Sequence, residues 1–235
     1  MDIQQLIELD KNILFTINGS DSLFWDGFMC VVTNTKTWIP AAIALLYVIL
    51  KNNKWQVGLT LIVMIALVIT LADQTASGIC KPYFLRFRPT QDPEIMYMVR
   101  TVNDMRAGQY GFISSHAANT FALATFISLI VKDWRLTLMM FLWAFIPTYS
   151  RVYLGVHYPG DVFFGALDGC LCGLLVFFLF RFIRNKFFIQ PKFISSQYSA
   201  GGYEFTSLNI LYIVLLLTYF TAIIVGMIVA KSMHL

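Results

Sequence analysis

Ser150-Arg151-Val152-Tyr153-Leu154-Gly155-Val156-His157-Tyr158-Pro159-Gly160-Asp161 joins two long apolar runs and sets an Arg, a His and an Asp at their junction. Charge at the mouth of two membrane helices is costly unless a ligand or a partner compensates it. His157 and Asp161 are four residues apart, so one helical turn can bring the carboxylate to the imidazole. An imidazole held by a carboxylate, beside a guanidinium, suits nucleophilic attack on an anionic centre. A helix-turn-helix corner with a capping Asp explains the same residues equally well, and geometry alone separates the two.

The chain around this stretch is 235 residues long, 58% hydrophobic and 13% charged, where a soluble domain carries about 25% charged residues. Composition and apolar runs predict an all-α integral membrane bundle of about six transmembrane helices. Spans are expected at 37–50, 55–78, 115–131, 136–152, 160–180 and 207–230. The first is short and needs residues before Lys36 to cross a bilayer. Residues 1–20 read as an amphipathic helix lying at the interface. Residues 21–35, with Phe24, Trp25 and Phe28, read as interfacial or half-inserted. The chain, 1–235, is expected to be one membrane-embedded unit, with 1–35 as its interfacial N-terminal segment.

The net charge of +4 is not gathered into one basic stripe, so nucleic-acid binding is not expected. Cys30, Cys80, Cys170 and Cys172 lack metal-ligand spacing, and neither a disulfide framework nor a zinc site is expected. The acidic N-terminus has no basic n-region of a cleavable signal peptide. The basic turns at 51–54 and 132–135 and the basic residues Arg181, Arg184, Lys186 and Lys192 fall on one face. The positive-inside rule puts that face in the cytoplasm, which leaves the 80–113 loop and the 153–160 corner outside with both termini. Gly165, Gly169 and Gly173 are spaced for close helix packing. Asp168, two turns from Asp161, reads as a structural hydrogen-bonding group.

Two further stretches share the face of the opening one. Lys81-Pro82-Tyr83-Phe84-Leu85-Arg86-Phe87-Arg88-Pro89 is a stiff cationic segment that can grip phosphate oxygens or simply meet lipid headgroups. Gly111-Phe112-Ile113-Ser114-Ser115-His116-Ala117 opens a span, where Ser is either an ordinary N-cap or part of an anion cradle with His116 in its first turn.

The order and spacing of these stretches resemble the type 2 phosphatidic acid phosphatase superfamily. Lys81 followed after six residues by Arg88-Pro89 matches its first motif, and Ser150-Arg151 with His157 and Asp161 matches its third. Ile113-Ser114-Ser115-His116 matches the second motif with Ile in place of Pro and Ser in place of Gly. The motifs lie within residues 80–161, and the helices around them resemble the membrane branch, with a core like that of the haloperoxidases.

The resemblance implies a lipid phosphate or diphosphate phosphatase working through a phosphohistidine. Catalytic roles fall to His157 as nucleophile, Asp161 as its orienting carboxylate and His116 as general acid and base. Lys81, Arg88 and Arg151, with donors from Ser114 and Ser115, are the expected phosphate-binding set. Three fixed cations can supply what a metal would, so no metal and no cofactor are expected. The expected partners are the bilayer and a membrane lipid phosphate, met at the outer face of a bacterial inner membrane. The oligomeric state is not legible. Small size and lean loops suggest a bacterial enzyme, and analogy within the family leans towards undecaprenyl diphosphate, with phosphatidic acid, phosphatidylglycerol phosphate and the phosphates of lipid A as alternatives. A vanadate-dependent haloperoxidase and a transporter are the rival classes. The apolar body argues against the first, and the lack of a half-to-half repeat against the second.

Overall fold

Helices make up the architecture of the computed structural model, which describes residues 2–188 and 195–233; Lys192 of the basic face lies outside them. Two amphipathic or short helices, α1 (Ile3–Asn18) and α2 (Leu23–Val32), precede α3 (Ile39–Asn52). The next helix, α4 (Trp55–Asp73), runs without a break through a π-helical stretch, Gln74–Cys80, into α5 (Lys81–Phe84). Beyond the long loop come α6 (Ser115–Val131), α7 (Trp134–Tyr153), α8 (Pro159–Phe187) and α9 (Phe205–Ser232). Each expected span therefore coincides with a helix. The basic turns end them where expected: Lys132 caps α6 in the left-handed region at φ 54°, and Asp133 caps α7 by accepting from Leu136 N at 2.9 Å. Pro159 occupies the first turn of α8, where its missing N–H costs nothing.

By length and apolarity, 3 helices among the described residues qualify as spans: Trp55–Phe84, Pro159–Phe187 and Phe205–Ser232. Leu23–Val32 and Thr35–Asn52 qualify together as a fourth, bent by 69°. That bent pair supplies the upstream residues that the short first span needs to cross. Residues 21–35 supply the first part of that bent pair, and α2 packs against the bundle. Gly27 meets Gly226 so closely that an added Cβ would lie 2.0 Å from the Gly226 carbonyl oxygen. That contact seats α2 along α9 and buries Phe28, Met29 and Val32.

The densest packing is between α6 and α8. A Cβ on Gly169 would stand 2.3 Å from the Ala118 carbonyl oxygen, and Gly165 and Gly173 meet α6 one turn to either side. Backbone approach of this kind is what small residues at four-residue spacing permit. It fixes the N-terminal ends of α6 and α8 beside each other. Asp168, on α8, accepts from Thr75 Oγ1 at 2.7 Å, as a structural partner would. The π-helical stretch adds an extra residue to the turn that precedes Lys81, and such turns recur at functional sites.

Candidate active site

The long loop folds back on itself. Phe87 pairs with Tyr110 in an isolated antiparallel bridge, Arg88 N donates to Gln109 O at 3.0 Å, and Gly111 N donates to Arg86 O at 2.9 Å. The first motif is thereby laid against the approach to the second. Ser114 N then donates to Asp161 O at 2.9 Å, which ties the second motif to the third. Three separated stretches converge through backbone hydrogen bonds before any side chain is considered.

The corner after α7 is tight. Arg151 O accepts from Val156 N at 3.1 Å and from His157 N at 3.2 Å, and Gly155 turns the chain at φ +69°, which glycine adopts freely. His157 emerges 2% exposed. Its Nδ1 faces Asp161 Oδ2 at 3.3 Å, and its Nε2 faces Arg88 Nη1 at 2.8 Å. Asp161 is fully buried and, when ionised, only accepts, whereas Arg can only donate. Together they fix the ring as the Nδ1–H tautomer with its lone pair on Nε2.

Burial holds the His157 imidazole well below its usual pKa, and Arg88, Arg151, Lys81 and His116 add to that shift. The ring is expected to remain neutral as the pH falls through 6.5, its ordinary value. Imidazole ¹⁵N shifts of His157 will report this, and a protonated ring at pH 6 would contradict it. The unfolded chain takes up a proton there that the folded ring refuses. This group, taken by itself, therefore weakens the fold as the pH falls through that range.

Arg88 is held by its own bonds: Nε donates to Tyr110 O at 3.0 Å and Nη1 to Val156 O at 3.2 Å. Arg151 is buried, with Nη1 on Thr33 Oγ1 at 2.8 Å. Lys81 Nζ reaches Ser77 Oγ at 3.0 Å and Ser115 Oγ at 2.5 Å. Ser115, standing where the family has Gly, thus puts its hydroxyl between Lys81 and Ser77. His116 lies in the first turn of α6, near enough to Arg151, Arg88 and Lys81 to feel their charge.

Ser114 differs from expectation. Its N–H is spent on Asp161 O, so it is no free backbone donor, but its Oγ is buried without a partner. The hydroxyl, not the amide, is the group it can offer an anion. With that change, every residue expected at the site falls within one cluster.

Gly111 has a role that its place in the second motif does not reveal. A Cβ there would stand 2.9 Å from Arg88 Cγ, 3.0 Å from Asp161 Oδ2 and 3.4 Å from His157 Nδ1. Gly111→Ala is expected to wedge the His157–Asp161 pair apart and cut kcat by about 100-fold, as misplacements near 1 Å do. Steady-state kinetics on the folded variant will check it; an unchanged kcat would show that the pair tolerates displacement.

Sequence reasoning also missed Arg86, Asp10 and Thr33. Arg86 Nη1 lies 2.8 Å from Asp161 Oδ1 and its Nη2 lies 2.7 Å from Asp10 Oδ2. Arg86 carried a signal, as one of three cations in the first stretch, but its spacing matched no motif. Asp10 and Thr33 carried none: one is a polar residue of an amphipathic helix and the other a helix-end hydroxyl.

Known proteins resemble this chain. The description of the PAP2 superfamily matches residues 57–188. The chain is 42% identical over 179 residues to the lipid A 4′-phosphatase of Bacteroides thetaiotaomicron, covering 75% of this chain and 79% of that protein. It is 31% identical over 184 residues to the lipid A 4′-phosphatase of Porphyromonas gingivalis, covering 78% of each. Among solved structures, the crystal structure of Aquifex aeolicus LpxE superposes with a TM-score of 0.57 at 26% identity, over 72% of this chain and 94% of that one. The matched residues contain all three converging stretches and most of the helices that carry them, and on these grounds the chain belongs to the PAP2 superfamily, in its membrane lipid phosphatase branch.

Proposed function

We propose that this chain removes the 4′-phosphate of lipid A through a phosphohistidine on His157. The observation that carries the chemistry is the buried imidazole held between Asp161 and Arg88, its Nε2 2.8 Å from Arg88 Nη1. A phosphate drawn to the guanidinium takes its place there and meets the lone pair. The N–P bond forms as the P–O bond to the lipid breaks, and His116, which takes up a proton once the bound phosphate offsets the surrounding cations, protonates the departing oxygen. Asp161 stabilises the charge the ring acquires. Lys81, Arg88 and Arg151, with the Ser114 hydroxyl, neutralise the phosphoryl oxygens in place of a metal. His116 then takes a proton from water, which attacks phosphorus and frees His157.

The lipid character of the substrate is supported by an apolar cavity of about 470 Å³ among α3, α4, α6, α7 and α9. Trp38, Leu45, Ile65 and Leu123 help to line it, and His116 stands on its wall. A headgroup phosphate can meet the cationic cluster while a chain remains in apolar surroundings. The choice of lipid A rests on the two relatives named for that activity; the lean towards undecaprenyl diphosphate rests on family analogy and on a weaker likeness to a relative named for that activity. The basic turns support an active site on the extracytoplasmic face of a bacterial inner membrane, and the whole chain acts as one unit in this reading.

Purified protein in detergent, with chelator present, should release phosphate from lipid A and leave a product lacking only the 4′-phosphate by mass spectrometry. Undecaprenyl diphosphate, phosphatidic acid and phosphatidylglycerol phosphate should turn over more slowly. Faster release from any of these, or loss of the other lipid A phosphate, would overturn the substrate assignment.

A further inference from the structure

We infer that Asp10 and Arg86 form a positioning relay for the Asp161–His157 pair, so that α1, outside the family-matched residues, serves the chemistry. The inference rests on His157 being the nucleophile. Asp161 is fully buried, and a buried carboxylate needs a cation and satisfied lone pairs. The other cations of the site are engaged elsewhere: Arg88 Nη1 on His157, Arg151 on Thr33, and Lys81 on Ser77 and Ser115. Arg86 is the guanidinium whose fork meets Asp161, at 2.8 Å. That contact takes Oδ1, and leaves Oδ2 for His157 Nδ1 at 3.3 Å and Tyr158 N at 3.1 Å.

Arg86 is itself fixed on two sides. Its guanidinium lies 4.1 Å from the centroid of the Tyr158 ring, and Asp10 Oδ2 takes its second arm at 2.7 Å. Asp10 Oδ1 accepts from Gly160 N at 2.7 Å, in the first turn of α8 that carries Asp161. One carboxylate on α1 therefore holds both the cation and the backbone on either side of Asp161. Gly160 allows this approach, since a Cβ there would lie 2.9 Å from Asp10 Oδ2. A surface tether would need only one of these contacts. Burial and the two aspartates act on Arg86 in opposite senses, and the aspartates prevail to hold its pKa above the usual value. The lock on Asp161 thus stays charged.

Asp10→Asn tests this with little disturbance, because the amide oxygen can still accept from Gly160 N while the charge facing Arg86 is lost. Expected is a kcat lowered about 10- to 100-fold with KM within about 2-fold, and a slower rise of phosphoenzyme. Asp10→Glu should recover part of the loss. Arg86→Ala should lose as much or more, and added guanidinium ion should restore turnover where an alkylammonium of similar size does not. Lys11→Gln, which breaks the neighbouring contact of α1 with Glu94, should leave kcat unchanged. Wild-type kcat in Asp10→Asn, or equal losses in Asp10→Asn and Lys11→Gln, overturns the relay while leaving His157 as nucleophile. A wild-type phosphoenzyme carried on a residue other than His157 overturns both.

Discussion

His157→Ala is expected to abolish turnover, by about 10⁵-fold or more, which is the scale of removing a nucleophile. The size follows from the lack of a substitute. The ring is buried at the meeting point of Arg88 and Asp161, and its Nε2 has the lone pair that the cationic cluster surrounds. Water at that position would lack the Asp161 bond that orients the attacking atom. Lipid phosphate should still bind, because Lys81, Arg88 and Arg151 remain, so binding measured with a labelled lipid should change far less than kcat. Brisk turnover in the folded variant would mean that phosphorus meets another nucleophile.

Arg88→Ala is expected to cost about 10³-fold in kcat, near the upper end for a lost charge-stabilising donor, about 4 kcal/mol. Arg88 does two things at once. Its guanidinium faces the phosphoryl group as charge develops, and its bonds to Tyr110 O and Val156 O clamp the first motif to the corner carrying His157. Arg88→Lys separates these effects: it keeps the charge and loses the fork. The lysine variant should therefore recover only a small part of the rate. Full recovery in single-turnover assays would show that charge alone matters and that the fork geometry does not.

Much of the fold is legible because the physics is local. Apolar runs bounded by Lys51–Lys54 and Lys132–Arg135 mark helices within a few residues of where they lie. Gly165, Gly169 and Gly173 reveal a packing face because their spacing repeats. Gly27 and Gly226 do not, since each is a single glycine whose partner is far away in sequence, and so the seating of α2 along α9 is not legible. The site divides in the same way. Residues within spaced motifs can be named in advance. Contacts that depend on the path of the backbone cannot, such as Ser114 N on Asp161 O, Ser115 on Lys81, or Asp10 on Gly160 N. A polar residue on an amphipathic helix looks solvated until the helix is seen lying over the active site.

The account stands on phosphorus passing through His157. Wild-type protein quenched within its first turnover on lipid A labelled in the 4′-phosphate tests this most directly, with the label mapped by mass spectrometry. The predicted result is an acid-labile, base-stable phosphoramidate on His157 that forms and decays at rates consistent with kcat. Label on another residue, or phosphate released with no protein-bound intermediate and with a single inversion at phosphorus, would contradict it.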